Sequence, residues 1–148
     1  MEFIMRPIGV IHSPFREKEQ TPIQPSRSQA KGRVEVYPEF AAGLEDIEGF
    51  SHIILLYMFH QSSGFTLRVK PFLDDQQHGL FATRYPKRPN PIGISVVRLA
   101  RRDENILEIE GVDVLDGTPL LDIKPYVSEF DLRNGTRSGW LEKQRGSR

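Results

Sequence analysis

The sequence predicts a mainly β protein, folded as a small closed or nearly closed β-barrel with short helical turns. Short β-branched apolar segments recur along the chain at roughly regular spacing, a pattern typical of closed antiparallel sheets. Eleven prolines scattered through 148 residues leave little room for long helices. Hydrophobic residues make up 38% of the chain, which is enough to form one core in a protein of this length.

Each predicted strand is a short apolar or alternating run bounded by Gly, Pro or Asp. The runs cover residues 8–12, 34–37, 52–59, 66–69, 80–82, 92–99, 106–114 and 120–127. The run at 52–59 is apolar at successive positions, which predicts a strand buried on both faces. A buried helix is the alternative that periodicity does not exclude. We interpret the run as a strand because it is short and lies between Gly49 and Gly64.

The remaining segments are predicted to be helical turns or to lie outside the barrel. Pro38 to Gly43 predicts one or two helical turns, with proline at the start and glycine at the end. The polar stretch 15–32 is too long for an ordinary turn, which indicates a functional or disordered loop. We therefore divide the chain into a barrel domain, residues 1–132, and a basic C-terminal tail, residues 133–148, with Trp140 and Leu141 as its apolar side chains.

Composition excludes several classes of protein. The 20 basic residues balance 20 acidic ones, which excludes a polybasic nucleic-acid binder but allows a local basic patch. The absence of cysteine excludes disulfides, zinc–thiolate sites, iron–sulfur clusters and cysteine nucleophiles, and it fits a cytoplasmic protein. The longest apolar run is far shorter than the roughly 20 residues of a membrane span. We therefore expect no membrane segment. The four histidines lack metal-ligand spacing, so we also expect no metal.

Two segments carry candidate binding groups. His60 and Gln61 follow the predicted strand 52–59, where barrels present functional groups; a solvated strand cap is the alternative. In the sequence TRYPKRPNPIGIS, three prolines stiffen a loop that carries Arg84, Lys87 and Arg88. A guanidinium on a rigid loop suits bidentate recognition of a carboxylate or phosphate. The alternative is a solvated basic turn between two strands.

A third segment, residues 113–126, combines a turn with an alternating strand. Asp-Gly-Thr-Pro at 116–119 is a turn signature. In the strand that follows, Leu121 and Ile123 are predicted to point one way, and Asp122, Lys124 and Tyr126 the other. The polar face is either the solvent-exposed side of a half-buried strand or the lining of a cleft. In the second case Asp122 and Lys124 could form an ion pair.

Three blocks of sequence closely resemble the TsaA/TrmO family. They are GFSHIILLYMFHQ, FATRYPKRPNPIGISVVRL and DGTPLLDIKPY, in that order, and the resemblance extends from about Ile8 to Tyr126. The segment TPIQPSRS is more weakly similar to an early Pro-x-Gln segment of the family, with Ile23 as the intervening residue. Larger bacterial relatives carry an additional C-terminal domain.

The resemblance implies a small β-barrel that forms homodimers and binds S-adenosyl-L-methionine near the dimer interface. It implies methylation of the exocyclic nitrogen of a threonylcarbamoylated adenosine beside the anticodon of transfer RNA. Carried over residue by residue, the cofactor contacts fall on Pro22, Ile23, Gln24, His60, Gln61, Arg84, Ile94, Asp116, Gly117, Thr118 and Pro119. Arg84 would hold the carboxylate or stack on the adenine, and Asp116 would accept from the ribose hydroxyls or the ammonium group.

Given that reaction, further residues acquire predicted roles. The acceptor nitrogen must lose a proton, and Tyr126, Asp122 or Lys124 are the candidates that take or relay it. Contacts to RNA phosphates are predicted for Lys87, Arg88, Arg133 and Arg137. Two alternative functions stay open: a small-molecule methyltransferase on the same barrel, and a non-catalytic barrel that binds an anionic ligand through Arg84 and Arg88.

Overall fold

The computed structural model of the chain describes residues 1–17, 20–21, 29–72 and 74–143. Within these residues, six strands close into an antiparallel barrel and two short strands form a separate pair. The strands are β1 (Gly9–His12), β2 (Lys31–Val36), β3 (His52–Met58), β4 (Arg68–Val69), β5 (His78–Gly79), β6 (Ile92–Asp103), β7 (Ile106–Glu110) and β8 (Thr118–Pro125). Around the barrel the order is β1–β2–β7–β6–β3–β8, so the predicted closed barrel is confirmed.

Helices are short throughout the described chain. They are the 3₁₀ helices Pro38–Leu44, Ile47–Gly49, Leu80–Ala82 and Gly139–Leu141, and the four-residue α-helix α1 (Ser128–Asp131). The turns predicted at 38–43 are confirmed. None of the described helices has the length and apolar character that a membrane crossing needs.

Two strand predictions need correction. The strand predicted at 80–82 is wrong: Thr83 donates its backbone N–H to the Leu80 carbonyl at 3.1 Å, which closes a 3₁₀ turn instead. The strand predicted at 106–114 ends at Glu110, because Gly111 adopts a φ of 97° and turns the chain away from the sheet. Its N–H then donates to the carbonyl of Ala30 at 2.9 Å.

The core is the filled interior of the barrel. On β3 the inward residues Ile53, Leu55 and Tyr57 are buried, whereas Ile54 and Leu56 on the outside are only half-buried. The prediction that this strand is buried on both faces is therefore wrong, because a barrel wall has one interior side. The outward residues form part of an apolar outer wall.

A β-bulge interrupts the pairing of β3 with β8. Asp122 lies opposite Leu56 but Leu120 lies opposite Tyr57, so Leu121 is an extra residue in β8. The strict alternation predicted for this strand is consequently wrong at Leu121: Leu120 belongs to the core cluster and Ile123 packs against it. Bulges bend a strand and help a sheet to close.

The antiparallel order sends alternate connections to opposite ends of the barrel. The connections 13–30, 59–91 and 111–117 emerge at one end, which we call the site end. The connections 37–51 and 104–105 emerge at the other end, where β8 also finishes.

The described part of the C-terminal tail folds back onto the long 59–91 connection. The indole of Trp140 stacks on the ring of His78, with centroids 4.6 Å apart and planes inclined by 14°. Its Nε1–H donates to the carbonyl of Ala82 at 2.8 Å. His78 Nε2 in turn lies 2.7 Å from Asp74 Oδ2, a hydrogen bond that lowers the pKa of Asp74 to about 2. The tail is therefore an arm with its own packing contacts.

Trp140→Ala should lower the free energy of unfolding by about 1–2 kcal/mol, because it removes one stacked pair and one hydrogen bond. Urea denaturation of the full chain measures this. Phe130→Ala is the matched control, since the Phe130 side chain is 67% exposed and should cost little. Equal stabilities for the two variants would contradict the packed arm.

Gly93→Ala should destabilise the barrel by roughly 1–3 kcal/mol through overpacking. A Cβ at Gly93 would lie 2.2 Å from the ring of Tyr57 and 2.8 Å from that of Phe59. Gly43→Ala is the control, because a Cβ there meets no atom within 4 Å. Thermal or urea unfolding should separate the two variants, and a stable Gly93→Ala protein would show that the rings can move apart.

Candidate active site

Strand pairing brings three distant parts of the sequence together at the site end. Tyr57 of β3 lies opposite Gly93 on one side and opposite Leu120 on the other. The end of β3, which precedes His60 and Gln61, therefore meets the start of β6, which carries Ile94, and the start of β8, which follows the 116–119 turn. Together with Arg84, these positions make up all of the predicted cofactor residues that the structure describes.

A chain of buried hydrogen bonds connects the same three segments inside the barrel. Ser95 Oγ donates to Asp113 Oδ1 at 2.7 Å, and Tyr57 Oη lies 2.7 Å from Ser95 Oγ. A serine hydroxyl has one proton to donate. Since Ser95 gives it to Asp113, the Tyr57 hydroxyl is the donor to Ser95.

The pKa shifts within this hydrogen-bond network show that Arg84 lies close to it. Burial raises the pKa of Asp113 above its ordinary value, against the opposing effects of the Ser95 hydrogen bond and the Arg84 charge. Burial and the Asp113 charge likewise raise the pKa of Tyr57, which the Arg84 charge opposes. Arg84 thus lies near both buried groups. Its own side chain is exposed and makes no hydrogen bond or ion pair among the described residues, so its guanidinium is available to a ligand.

The 116–119 turn is held by its neighbours from β1. Asp116 Oδ1 accepts the Ser13 backbone N–H at 3.0 Å and lies 3.6 Å from His12 Nδ1. Gly117 has a φ of 85°, a left-handed conformation that glycine adopts at no steric cost. Thr118 Oγ1 donates to the Leu115 carbonyl at 2.6 Å. The turn therefore holds the Asp116 carboxylate at the surface of the site end.

The predicted catalytic residues do not all lie at this end. Asp122 and Lys124 form the predicted ion pair, with 3.0 Å between Lys124 Nζ and Asp122 Oδ2, on the outer wall of β8. Tyr126 lies beyond the far end of β8, its ring 6.3 Å from that of His52. Tyr126 follows Thr118 by eight positions, at most about 26 Å at roughly 3.3 Å per residue.

The predicted RNA-binding residues also differ in their surroundings. Lys87 is exposed, whereas Arg88 is half-buried and donates to the carbonyls of Thr83 at 3.0 Å and Tyr85 at 2.8 Å. Arg88 therefore braces its own loop. Arg133 and Arg137 are exposed in the arm. The predicted cofactor residues Pro22, Ile23 and Gln24 lie outside the described residues.

Sequence reasoning missed the buried network altogether. Ser95 carries a usable signal, because it stands between Gly93 and Val97 at an inward position of an alternating strand, where an aliphatic residue is expected. Asp113 carries no such signal. It lies in a connection, and only closure of the barrel brings it to Ser95.

The exposed groups at the site end fit S-adenosyl-L-methionine. Arg84 offers an exposed guanidinium for a carboxylate, and the Asp116 carboxylate can accept from hydroxyl or ammonium groups. Ile94, 45% exposed, adds apolar surface. Among the described residues, no cluster of three His, Asp or Glu side chains could hold a metal ion.

Comparison with known proteins identifies the family. The family model described as the tRNA-methyltransferase O N-terminal domain matches residues 10–132. The chain belongs to the TrmO family. It is 63% identical over 139 residues to a probable S-adenosyl-L-methionine-binding protein of Pyrococcus abyssi, an alignment that covers 93% of this chain and 76% of the relative.

The chain is also similar to a human protein and to a bacterial protein of known structure. The human tRNA (adenine(37)-N6)-methyltransferase is 35% identical over 136 residues, covering 86% of this chain and 31% of the human protein. The crystal structure of TrmO from Pseudomonas aeruginosa superposes with a TM-score of 0.80 at 41% identity. That alignment covers 96% of this chain, which spans only 62% of the crystallised one.

Asp113→Asn should change the dependence of stability on pH. Because the folded-state pKa of Asp113 is raised, this group binds more protons in the native state than in the unfolded one, and its contribution to stability falls as pH rises above the ordinary aspartate pKa of about 4. The variant keeps an oxygen for Ser95 but cannot ionise. Its stability relative to wild type should therefore increase from pH 4 to 7 in urea denaturation. A stability difference that is independent of pH would contradict this.

Proposed function

We propose that this protein is an S-adenosyl-L-methionine-dependent methyltransferase that acts on transfer RNA. We further propose that it methylates the exocyclic nitrogen of threonylcarbamoyladenosine beside the anticodon. The observation that carries the proposal is the convergence, at one end of the barrel, of an exposed Arg84 guanidinium, the Asp116 carboxylate and the segments bearing His60, Gln61 and Ile94.

The relatives support the same chemistry. The Pyrococcus relative is named for S-adenosyl-L-methionine binding, and the human relative is named for methylation of N6 of adenine 37 in transfer RNA. The threonylcarbamoyl group is the finer part of the proposal. It rests on the resemblance of the sequence motifs, and it needs its own test.

In this proposal each described group at the site end has a defined role. Arg84 holds the carboxylate of the bound cofactor, and Asp116 accepts from its ribose or ammonium. The cofactor supplies an already activated methyl group, so the task of the protein is mainly alignment. The buried Tyr57–Ser95–Asp113 chain keeps β3, β6 and the 111–117 connection in register around it.

The proton of the acceptor nitrogen requires a route to a base. We propose that Asp122, whose charge is balanced by Lys124, takes or relays it. Within one subunit Tyr126 lies at the opposite end of the barrel, so it would act only at a site completed by a second subunit. This arrangement favours a homodimer, which we also propose. Ile94 and Val96 on the outer wall, 45% and 44% exposed, are apolar surface that a partner would cover. The proposed compartment is the cytoplasm.

The test is mass spectrometry of nucleosides from transfer RNA incubated with the full chain and S-adenosyl-L-methionine. A methylated threonylcarbamoyladenosine is expected. Methylation of unmodified adenosine would retain the transfer RNA activity and reject the finer substrate. Cofactor binding without any methylated nucleoside would favour a small-molecule methyltransferase, and binding of anions with no preference for the cofactor would favour the non-catalytic barrel.

Arg84→Ala should weaken cofactor binding by about 1.5–3 kcal/mol, the contribution of a hydrogen bond to a charged group. Arg84→Lys should restore only part of the loss, because lysine keeps the charge but lacks the planar fork. Isothermal titration calorimetry with S-adenosyl-L-homocysteine measures both. Arg101→Ala, an exposed arginine at the far end of β6, is the control. Full restoration by lysine would mean that Arg84 acts only through its charge.

A further inference from the structure

A groove opens beside the candidate active site. It has a volume of about 390 Å³, within the range of about 300–1,000 Å³ seen for small-ligand clefts. Its lining comes from both sides of the β4–β5 pair and from the proline-rich loop: Ser63, Phe65, Thr66, Arg68, Val69, Lys70, Gln77, Tyr85 and Lys87. Of these residues, only Lys87 is predicted from the sequence to bind a ligand.

The charge of the groove is one-sided. Three of its lining side chains are cationic, Arg68, Lys70 and Lys87, and none is acidic. The whole chain carries equal numbers of acidic and basic residues, so this is a local concentration of positive charge. A polyanion is the partner that such a surface attracts.

The groove also presents aromatic surface. Phe65 is 50% exposed although a phenyl ring gains by burial, and Tyr85 is a second ring in the lining. Unpaired nucleic-acid bases stack on aromatic side chains while cations contact their phosphates. Ser63 and Gln77 add hydrogen-bonding groups suited to base edges, whereas the Thr66 hydroxyl donates its proton to the Arg68 carbonyl at 2.9 Å and keeps only its acceptor positions.

The position of the groove ties it to the chemistry. Tyr85 directly follows Arg84, and consecutive Cα atoms are about 3.8 Å apart. Arg88 fixes this part of the loop by donating to the carbonyls on either side of Arg84, those of Thr83 and Tyr85. A nucleotide in the groove would therefore lie next to the residue proposed to hold the cofactor.

We propose that this groove binds an unpaired nucleotide of the anticodon loop, by stacking on Phe65 and Tyr85 and by phosphate contacts from Arg68, Lys70 and Lys87. The proposal rests on the proposed transfer RNA activity and adds to it a binding site for the RNA. Phe65, Arg68, Lys70 and Tyr85 are its new components.

The test measures binding of the full chain to a fluorescent anticodon stem-loop RNA by anisotropy, with saturating S-adenosyl-L-homocysteine. Phe65→Ala should weaken binding roughly 5- to 100-fold through the loss of one stacking platform. Phe65→Trp should retain most of the affinity. Phe130→Ala, which removes a 67% exposed ring outside the groove, should leave the affinity unchanged.

The electrostatic part has its own readout. Lys70→Gln should reduce the slope of log affinity against log salt by about 0.7, the value for one contact to single-stranded nucleic acid. Arg101→Gln is the control, because this exposed side chain lies in β6 near its far end. Cofactor affinity, measured by calorimetry, should be unchanged in every variant, which confirms that each is folded.

Each contrary outcome has a distinct meaning. Unchanged RNA affinity in Phe65→Ala and Lys70→Gln would overturn the groove while leaving the proposed activity intact. If the wild-type protein bound no RNA, the proposed activity would fail together with the groove. If Phe65→Ala converted a dimer to monomers in sedimentation, the occupant would be a second copy of the chain and the RNA site would be rejected.

Discussion

The antiparallel closure of the barrel decides which parts of this chain meet. Six strands that alternate in direction must return every second connection to the same end. The described residues of the connections 13–30, 59–91 and 111–117 are therefore neighbours, although these connections are far apart in sequence. The predicted cofactor residues among the described ones lie in these connections or at the adjoining starts of β6 and β8, and the groove beside Arg84 belongs to the same end. The opposite end has the tight 104–105 turn and the short helices of 37–51.

Closure of the barrel also explains how a polar hydrogen-bond network can be buried in its interior. An unpaired buried hydroxyl or carboxylate costs about 1–3 kcal/mol, but Tyr57, Ser95 and Asp113 satisfy one another at 2.7 Å. The network still leaves a carboxylate whose ionisation is opposed by burial. An aliphatic residue at Ser95 would avoid that cost. A local violation of the usual core pattern beside an exposed arginine is where a functional constraint is expected.

The six barrel strands could be located from the sequence, but the contacts between them could not. The run ending at Met58 is recognisable from its composition, yet composition does not distinguish the interior of a barrel from an apolar outer wall, so Ile54 and Leu56 were misplaced. The extra residue Leu121 depends on how β8 pairs with β3, which no pattern within β8 encodes. The Leu80–Ala82 segment shows the same limit, because three apolar residues fit a strand or a 3₁₀ turn equally well.

The same distinction between local sequence features and contacts made by the fold applies to the candidate site. Arg84 and the 116–119 turn could be proposed from the sequence because loop chemistry and family motifs are local in sequence. Asp113 was missed because its position is defined by contact with Ser95. Trp140 was recognised as an apolar side chain of the tail, but its partner His78 lies in the distant 59–91 connection and could not be predicted. The groove required both kinds of information. Its cations come from two separate parts of the 59–91 connection, and only the fold places Arg68 and Lys70 beside Lys87.

The proline-rich loop is the element that connects the two proposed binding surfaces. Arg84 and Tyr85 are consecutive, so the same backbone segment sets the position of the guanidinium and of the aromatic ring. Three prolines restrict the backbone of this loop, and Arg88 stabilises it further through its hydrogen bonds to two carbonyls of the same loop. Methyl transfer depends on alignment of donor and acceptor, for which small displacements are costly. A stiff loop that carries one contact for the cofactor and one for the RNA would fix their relative position, with Arg88 as the brace and Lys87 as the exposed charge.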